Sequence, residues 1–158
     1  MSAWKLASRL GLVIVGGLLS VPARAALTCS FVSVGDVAFA NYDVFNVGVP
    51  TKTTGSITFQ CKKVGGPQFM TLDLSAGNSG TYSPRRMWFG ANTLNYNLYL
   101  DAANTQVWGD GSGGTSEFGP FDPTDQKLQV VTIYATIPAG QDVNVGMYTD
   151  AITATLNF

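Results

Sequence analysis

Few side chains in this 158-residue chain have chemistry to offer: two cysteines, two adjacent arginines, ten carboxylates and no histidine. Without imidazole there is no Ser-His or Cys-His dyad and no base that titrates near neutrality. Asp101 and Asp110 could in principle form an acid and base pair of the glycosidase kind, and GDGSGGTSE, Gly109 to Glu117, has the Asp and Gly content of a calcium loop. Asp and Gly serve turns equally well, and turn formation explains both segments more simply. Arg85 and Arg86 are neighbours, so on a strand they point to opposite faces; the expected state is a solvated pair, or one arginine paired with Asp73 or Asp101. The two cysteines have no CxxC spacing, which speaks against metal or redox chemistry. These residues argue against an enzyme and imply no cofactor and no metal.

The first residues, MSAWKLASRLGLVIVGGLLSVPARA, set Lys5 and Arg9 before an apolar run from Leu10 to Val21, with Ala23 and Ala25 at an A-x-A site. This is the pattern of a secretory signal peptide over residues 1–25, cleaved after Ala25. An apolar run of about twelve residues falls short of the roughly twenty needed to span a bilayer, so no membrane span is expected after cleavage. In an exported chain the only two thiols, Cys29 and Cys61, most simply pair with each other. Such a bridge closes a loop of about thirty residues and contributes roughly 3 to 4 kcal/mol on a chain-entropy estimate. Without Lys5, Arg9 and Arg24 the chain keeps six Lys and Arg against ten Asp and Glu, a net charge of −4, which argues against nucleic acid as a partner.

The elements that must position these residues are short strands. Segments 27–34, 55–61, 69–74, 85–89, 93–100, 128–136 and 147–158 are apolar, alternating or β-branched, and turn-rich stretches such as KVGGP, SAGNSG, GDGSGGT, FGPFDP and IPAGQ separate them. Leu94, Tyr96, Leu98 and Leu100 alternate with Asn95, Asn97 and Tyr99, so one face of that strand meets a core. No amphipathic helix, repeat or linker breaks the pattern. Residues 26–158 therefore read as one all-β sandwich domain, with Gly109 to Pro123 as a long irregular loop.

The block LNYNLYLDAANTQVWGDG, Leu94 to Gly111, together with FANYD at Phe39, TGSITFQC ending at Cys61, RRM at Arg85, IPAGQ at Ile137 and the terminal GMYTDAITATLNF, resembles the spore coat protein U family, secreted pilin-like domains of archaic chaperone-usher pili. The resemblance covers most of residues 26–158. It implies an immunoglobulin-like β-sandwich that lacks its final strand, which a donor strand completes in trans. The implied partners are a periplasmic chaperone, an outer-membrane usher and other pilus subunits, and the implied destination is the cell surface.

The C-terminal residues fit that expectation, since Ile152, Ala154, Leu156 and Phe158 alternate toward a core and would form part of the acceptor groove. With cleavage after Ala25, only Ala26, Leu27 and Thr28 precede Cys29, about ten Å of extended chain. That length is too short to donate a strand, and the expected place in a fibre is the tip or the initiating position. Trp88 and Phe89, and Phe118 with Phe121, are candidate exposed adhesive loops; the plainer reading buries at least one of Trp88 and Phe89. Trp108 is expected in the core. The alternative from another class is a self-complete secreted sandwich that binds carbohydrate or another surface ligand through aromatic loops.

Overall fold

The computed structural model describes residues 26–158, so the leader expected over residues 1–25 lies outside the described residues. Strand β2, Thr51–Val64, is the backbone of the first sheet. Its inward residues Ile57, Phe59 and Cys61 are fully buried, while Thr58, Gln60 and Lys62 face out, as the period of two requires. On one side of β2 lies β1, Ala26–Val34, and on the other β7, Leu128–Ile137. Beyond β7 come β5, Asn92–Tyr99, and β4, Arg85–Phe89, giving a five-stranded antiparallel sheet of order β1-β2-β7-β5-β4.

The second sheet is smaller, with β3, Met70–Leu74, between β6, Phe118–Phe121, and β8, Ala154–Asn157. Met70, Leu72 and Leu74 turn inward to meet Ile57, Phe59, Leu98 and Ile133 of the first sheet. Trp108 is fully buried between the sheets, as expected, and its indole N–H donates to the Leu72 carbonyl at 2.8 Å. Two antiparallel sheets around one core are an immunoglobulin-like sandwich, with the first sheet curled around the second.

The Cys29–Cys61 disulfide joins β1 to β2 as expected, across directly opposed positions of the ladder. Strand β4 matches its expected bounds, and β1, β3, β5 and β7 differ from theirs by a residue. β2 is longer than the expected 55–61 by four residues at its start and three at its end, and two further departures change the element itself. FGPFDP, expected as a turn within an irregular loop, supplies β6, because Phe118 and Phe121 find apolar cover and the Gly119 backbone lies against β3. A Cβ at Gly119 would fall 2.7 Å from the Met70 carbonyl, at a φ of +118° that side chains disfavour. The strand expected over 147–158 is divided: Thr149 bridges to Trp88 of β4, and regular pairing with β3 begins only at Ala154.

Candidate functional site

The C-terminal segment is shared between the two sheets. Thr149 and Trp88 exchange both backbone hydrogen bonds, at 2.8 and 3.1 Å. Four residues later Thr153 turns to β3: its carbonyl accepts from the Ser75 N–H at 2.9 Å, and its N–H donates to the Ser75 hydroxyl at 2.9 Å. Pairing then continues as Ala154 with Leu74, Thr155 with Asp73, Leu156 with Leu72 and Asn157 with Thr71. In an antiparallel ladder, residues alternate between directing their N–H and C=O to the partner and directing them away. Thr153 bonds inward, so Thr155 and Asn157 share its phase, and the peptide groups of Ile152, Ala154 and Leu156 face the opposite edge.

Among the described residues, no strand lies beside that edge. Across the gap runs the exit of β1, where residues 35–39 lie extended along β2: Gly35 N–H donates to the Ser56 carbonyl at 2.9 Å and Thr53 donates to the Ala38 carbonyl at 2.9 Å. Tyr42 ends this bank, donating its hydroxyl to the Pro138 carbonyl at 3.0 Å and accepting from the Gln141 N–H at 2.8 Å. Between the banks is a cavity of about 310 Å³, floored by Ile57, Leu74, Leu98 and Ile133. Ile152 and Ala154 on one side and Val34, Val37 and Phe39 on the other complete its apolar walls. The seam thus combines two unpaired strand edges with an apolar floor.

Asp150 fixes the segment where it crosses between the sheets. Its carboxylate accepts from the Tyr96 hydroxyl at 2.7 Å, from the Asn78 N–H at 2.9 Å and from the Ala151 N–H at 2.8 Å. Gly77, at φ +70°, lets the carboxylate approach, since a Cβ there would fall 2.2 Å from it. Burial pushes the Tyr96 hydroxyl well above the ordinary phenol range, and the Asp150 hydrogen bond and charge push it further.

Arg85 is the main correction at the residue level. It is neither solvated nor paired with Asp73 or Asp101; it is fully buried, at 0 % exposure. Its Nε and one terminal nitrogen donate to the Ser75 carbonyl at 3.0 and 2.8 Å, and the same terminal nitrogen reaches the Trp108 carbonyl at 2.6 Å. The other terminal nitrogen donates to Asn97 Oδ1 at 2.8 Å, and the guanidinium lies 5.0 Å from the centre of the Tyr82 ring. Burial lowers its pKa from the ordinary guanidinium value; the group nonetheless stays cationic, held by carbonyl dipoles and a π face. Arg86, on the opposite face, is exposed as expected.

The other residues singled out in the sequence fall as follows. Ile152, Ala154 and Leu156 are half-buried in alternation and lie together along the seam, whereas Phe158 is 58 % exposed beyond the end of β8. Phe118 and Phe121 are not free loop residues: on β6 they pack together, with Phe118 tilted against Trp108, and both are half-buried. Trp88 and Phe89 sit on β4, 38 and 42 % exposed, so neither is buried as expected of one of them, although Phe89 packs against Tyr148; Met87 takes the inward position between them and Arg85. Asp101 and Asp110 are spent on local turns, Asp101 accepting from the N–H groups of Thr105 and Gln106 and Asp110 from Ser112.

Sequence reasoning missed Ser75, the bank at residues 34–39 and a set of exposed apolar loop residues. Phe45, Val47 and Val49 are 89, 78 and 64 % exposed, and Val145 and Met147 are 100 and 81 % exposed. These two loops leave the same end of the sandwich, next to the starts of β2 and β5. The signal was present as VFNVGVP and VNVGM, apolar runs without charge in turn-rich surroundings.

The fold and the seam together define a class, the immunoglobulin-like sandwiches with an apolar cavity beside the free edge of β8. The model of the Spore Coat Protein U domain family matches residues 16–155, and this chain belongs to that family. It is similar to Protein U of Myxococcus xanthus, 35 % identical over an alignment of 135 residues, with 78 % of this chain and 72 % of the relative covered. Among solved structures, its fold is similar to a chain in the CsuC-CsuE chaperone-tip adhesion subunit pre-assembly complex from archaic chaperone-usher Csu pili of Acinetobacter baumannii, at TM-score 0.56 and 21 % identity. The match covers 84 % of this chain and 40 % of that one.

Proposed function

We propose that this chain is a non-enzymatic structural subunit of a chaperone-usher pilus or surface coat, and that the seam between β1 and β8 accepts an extended strand from another polypeptide. The observation that carries the reading is the pair of free strand edges over an apolar cavity of about 310 Å³. A strand in that gap hydrogen-bonds to Ile152, Ala154 and Leu156 and sets alternate side chains on Ile57, Leu74, Leu98 and Ile133. Each apolar side chain fully buried there adds about 1.5 to 3 kcal/mol, and each backbone bond about 0.5 to 1.5 kcal/mol net. Membership of the Spore Coat Protein U family and a fold similar to a chain of a chaperone-tip adhesion subunit pre-assembly complex support it.

The reading includes export by the leader over residues 1–25, a periplasmic chaperone that fills the seam first, an outer-membrane usher, and a neighbouring subunit that replaces the chaperone. A tip or initiating position belongs to it as well, on the expected cleavage after Ala25, which would leave only Ala26, Leu27 and Thr28 ahead of Cys29. N-terminal sequencing of the exported protein tests that position. The exposed Phe45, Val47, Val49, Val145 and Met147 support a second role for the same molecule, attachment of its loop end to an apolar surface.

The test of the main reading is purification of oxidised residues 26–158 from periplasm with and without a fimbrial chaperone, followed by thermal unfolding with a donor peptide. Recovery as a chaperone complex, and a rise in melting temperature on the order of 10 °C at peptide concentrations about a hundredfold above Kd, is the expected result. A cooperative monomer indifferent to both would overturn it in favour of a self-complete, ligand-binding sandwich.

A further inference from the structure

The C-terminal segment pairs with two strands of different sheets, β4 at Thr149 and β3 from Thr153 onward. That arrangement requires the end of β3 and the start of β4 to be held in line, and Arg85 is the side chain that bridges the two directly, beside the hydrogen bonds of Asp150 to Tyr96 and Asn78. Arg85 is the first residue of β4, and its guanidinium puts two N–H donors on the carbonyl of Ser75, the residue just past the end of β3.

The same contact decides how Thr153 pairs. In an uninterrupted ladder the Thr153 N–H would go to the Ser75 carbonyl; here that oxygen is occupied by Arg85, and Thr153 N–H donates to the Ser75 hydroxyl instead. Regular pairing with β3 therefore stops at this residue, and the chain is released toward β4. The phase of the segment is fixed at the same point, because a slip of one residue would exchange the outward peptide groups of Ile152, Ala154 and Leu156 for those of Thr153 and Thr155 and turn threonine side chains to the cavity.

We propose that Arg85 is the positioning residue of the strand-acceptor edge, setting through Ser75 which peptide groups of the C-terminal strand face the seam. The proposal rests on the strand-acceptor reading given above. A purely structural buried cation needs partners on any neighbouring element, whereas the Arg85 partners are Ser75 just past the end of β3, the Trp108 carbonyl between β5 and β6, and Asn97 on β5. Those contacts tie both sheets together at the point where the last strand changes partner. Lysine is a poor replacement, since one ammonium cannot present a planar fork to the Ser75 and Trp108 carbonyls and Asn97 at once.

The experiment is residue-resolved amide exchange on the oxidised chain, with and without a synthetic peptide of alternating valine and threonine bearing terminal lysines. In the wild type, the N–H groups of Thr153, Thr155 and Asn157 are expected to be protected and those of Ile152, Ala154 and Leu156 fast, with the peptide slowing the second set. In Arg85→Lys the alternation is expected to blur while β2 and β7 stay protected, and peptide affinity to fall roughly tenfold or more. Ser75→Ala keeps the carbonyl and removes only the hydroxyl; it is expected to lose Thr153 protection first, and it carries the test if Arg85→Lys does not fold. Arg85→Lys with intact alternation and wild-type peptide affinity, or Ser75→Ala indistinguishable from wild type, would overturn the proposal. Blurred alternation in the variants, with no peptide effect in the wild type, would sink the acceptor reading and still support placement of the strand by Arg85.

Discussion

At the residue scale, the side chains that organise this molecule are polar groups taken out of water. Arg85 and Trp108 are fully buried, Trp108 donating to the Leu72 carbonyl of β3 and Arg85 to the Ser75 and Trp108 carbonyls and to Asn97, and Tyr96, 4 % exposed, hands its hydroxyl to Asp150. Tyr96 makes a pH prediction possible. Its pKa in the folded chain is raised above 10.0, first by burial and then by Asp150, while in the unfolded chain it returns to the ordinary value. The folded state therefore holds the proton more tightly, so the stability from this group is fully present below about pH 10 and is lost as pH rises above it, by up to about 1.4 kcal/mol per pH unit. Tyr96→Phe is expected to lower stability near neutrality by about 1.5 to 3 kcal/mol, the worth of a hydrogen bond to a charged group, and to make the alkaline decline shallower. It should not become flat, because partial burial raises Tyr82 and Tyr99 as well. Urea midpoints measured from pH 8 to 11 check both, and equal slopes for the two proteins would remove Tyr96 as the cause. None of this was legible in the sequence: RRM announces two charges, and nothing in it says that carbonyls 10 and 23 residues away will enclose the first of them.

At the element scale, the strands whose partners are close and whose alternation is regular could be read directly. The buried Ile57, Phe59 and Cys61 mark β2, and Leu94, Tyr96 and Leu98 mark β5, because one side of each meets the core along its length. β6 and β8 could not be bounded, since four-residue strands carry too little periodicity and their limits are set by tertiary partners: Met70 and Leu72 for β6, Ser75 and Arg85 for β8. The direction of peptide groups along β8 yields a contrast between neighbouring positions. Proline at an edge position whose N–H points away from its partner removes no ladder bond, whereas one residue on it removes a bond to β3. Thr155→Pro is therefore expected to destabilise the isolated chain by at least the net worth of the lost ladder bond, about 0.5 to 1.5 kcal/mol, and Ala154→Pro by clearly less. Capture of a donor strand should show the opposite order, with Ala154→Pro weakening it although the fold persists. Chemical denaturation of both variants, alongside peptide titration followed by tryptophan fluorescence, separates the two effects. Equal destabilisation by the two prolines would mean that the alternation assigned to β8 is wrong.

At the scale of the whole molecule, the sandwich was legible and the gap in it only by resemblance, because composition does not say whether a sheet edge is covered. What the structure adds is that both banks of the gap lack the devices that usually keep edges apart. β1, with the sequence ALTCSFVSV, contains no charge and no proline, and its Phe31, Val32 and Val34 are 38, 55 and 55 % exposed. β8 has none either, and the exposed Phe158 continues it. Edge strands of this kind pair with whatever strand is near. An isolated chain with the seam unfilled is therefore expected to associate through its own edges, since β1 of one copy can pair with β8 of another much as a donor strand would. Light scattering should rise with protein concentration in the refolded chain and fall to the monomer value when the donor peptide is present in excess, with no change in the disulfide. Lysine at Val32, on the bank outside the apolar floor, should reduce association without lowering the melting temperature by more than about 0.5 kcal/mol equivalent, the usual size of a surface substitution. If association persisted with the peptide bound, the sticking surface would have to be the loop end carrying Phe45 and Val145, and the edges would be excluded as its cause.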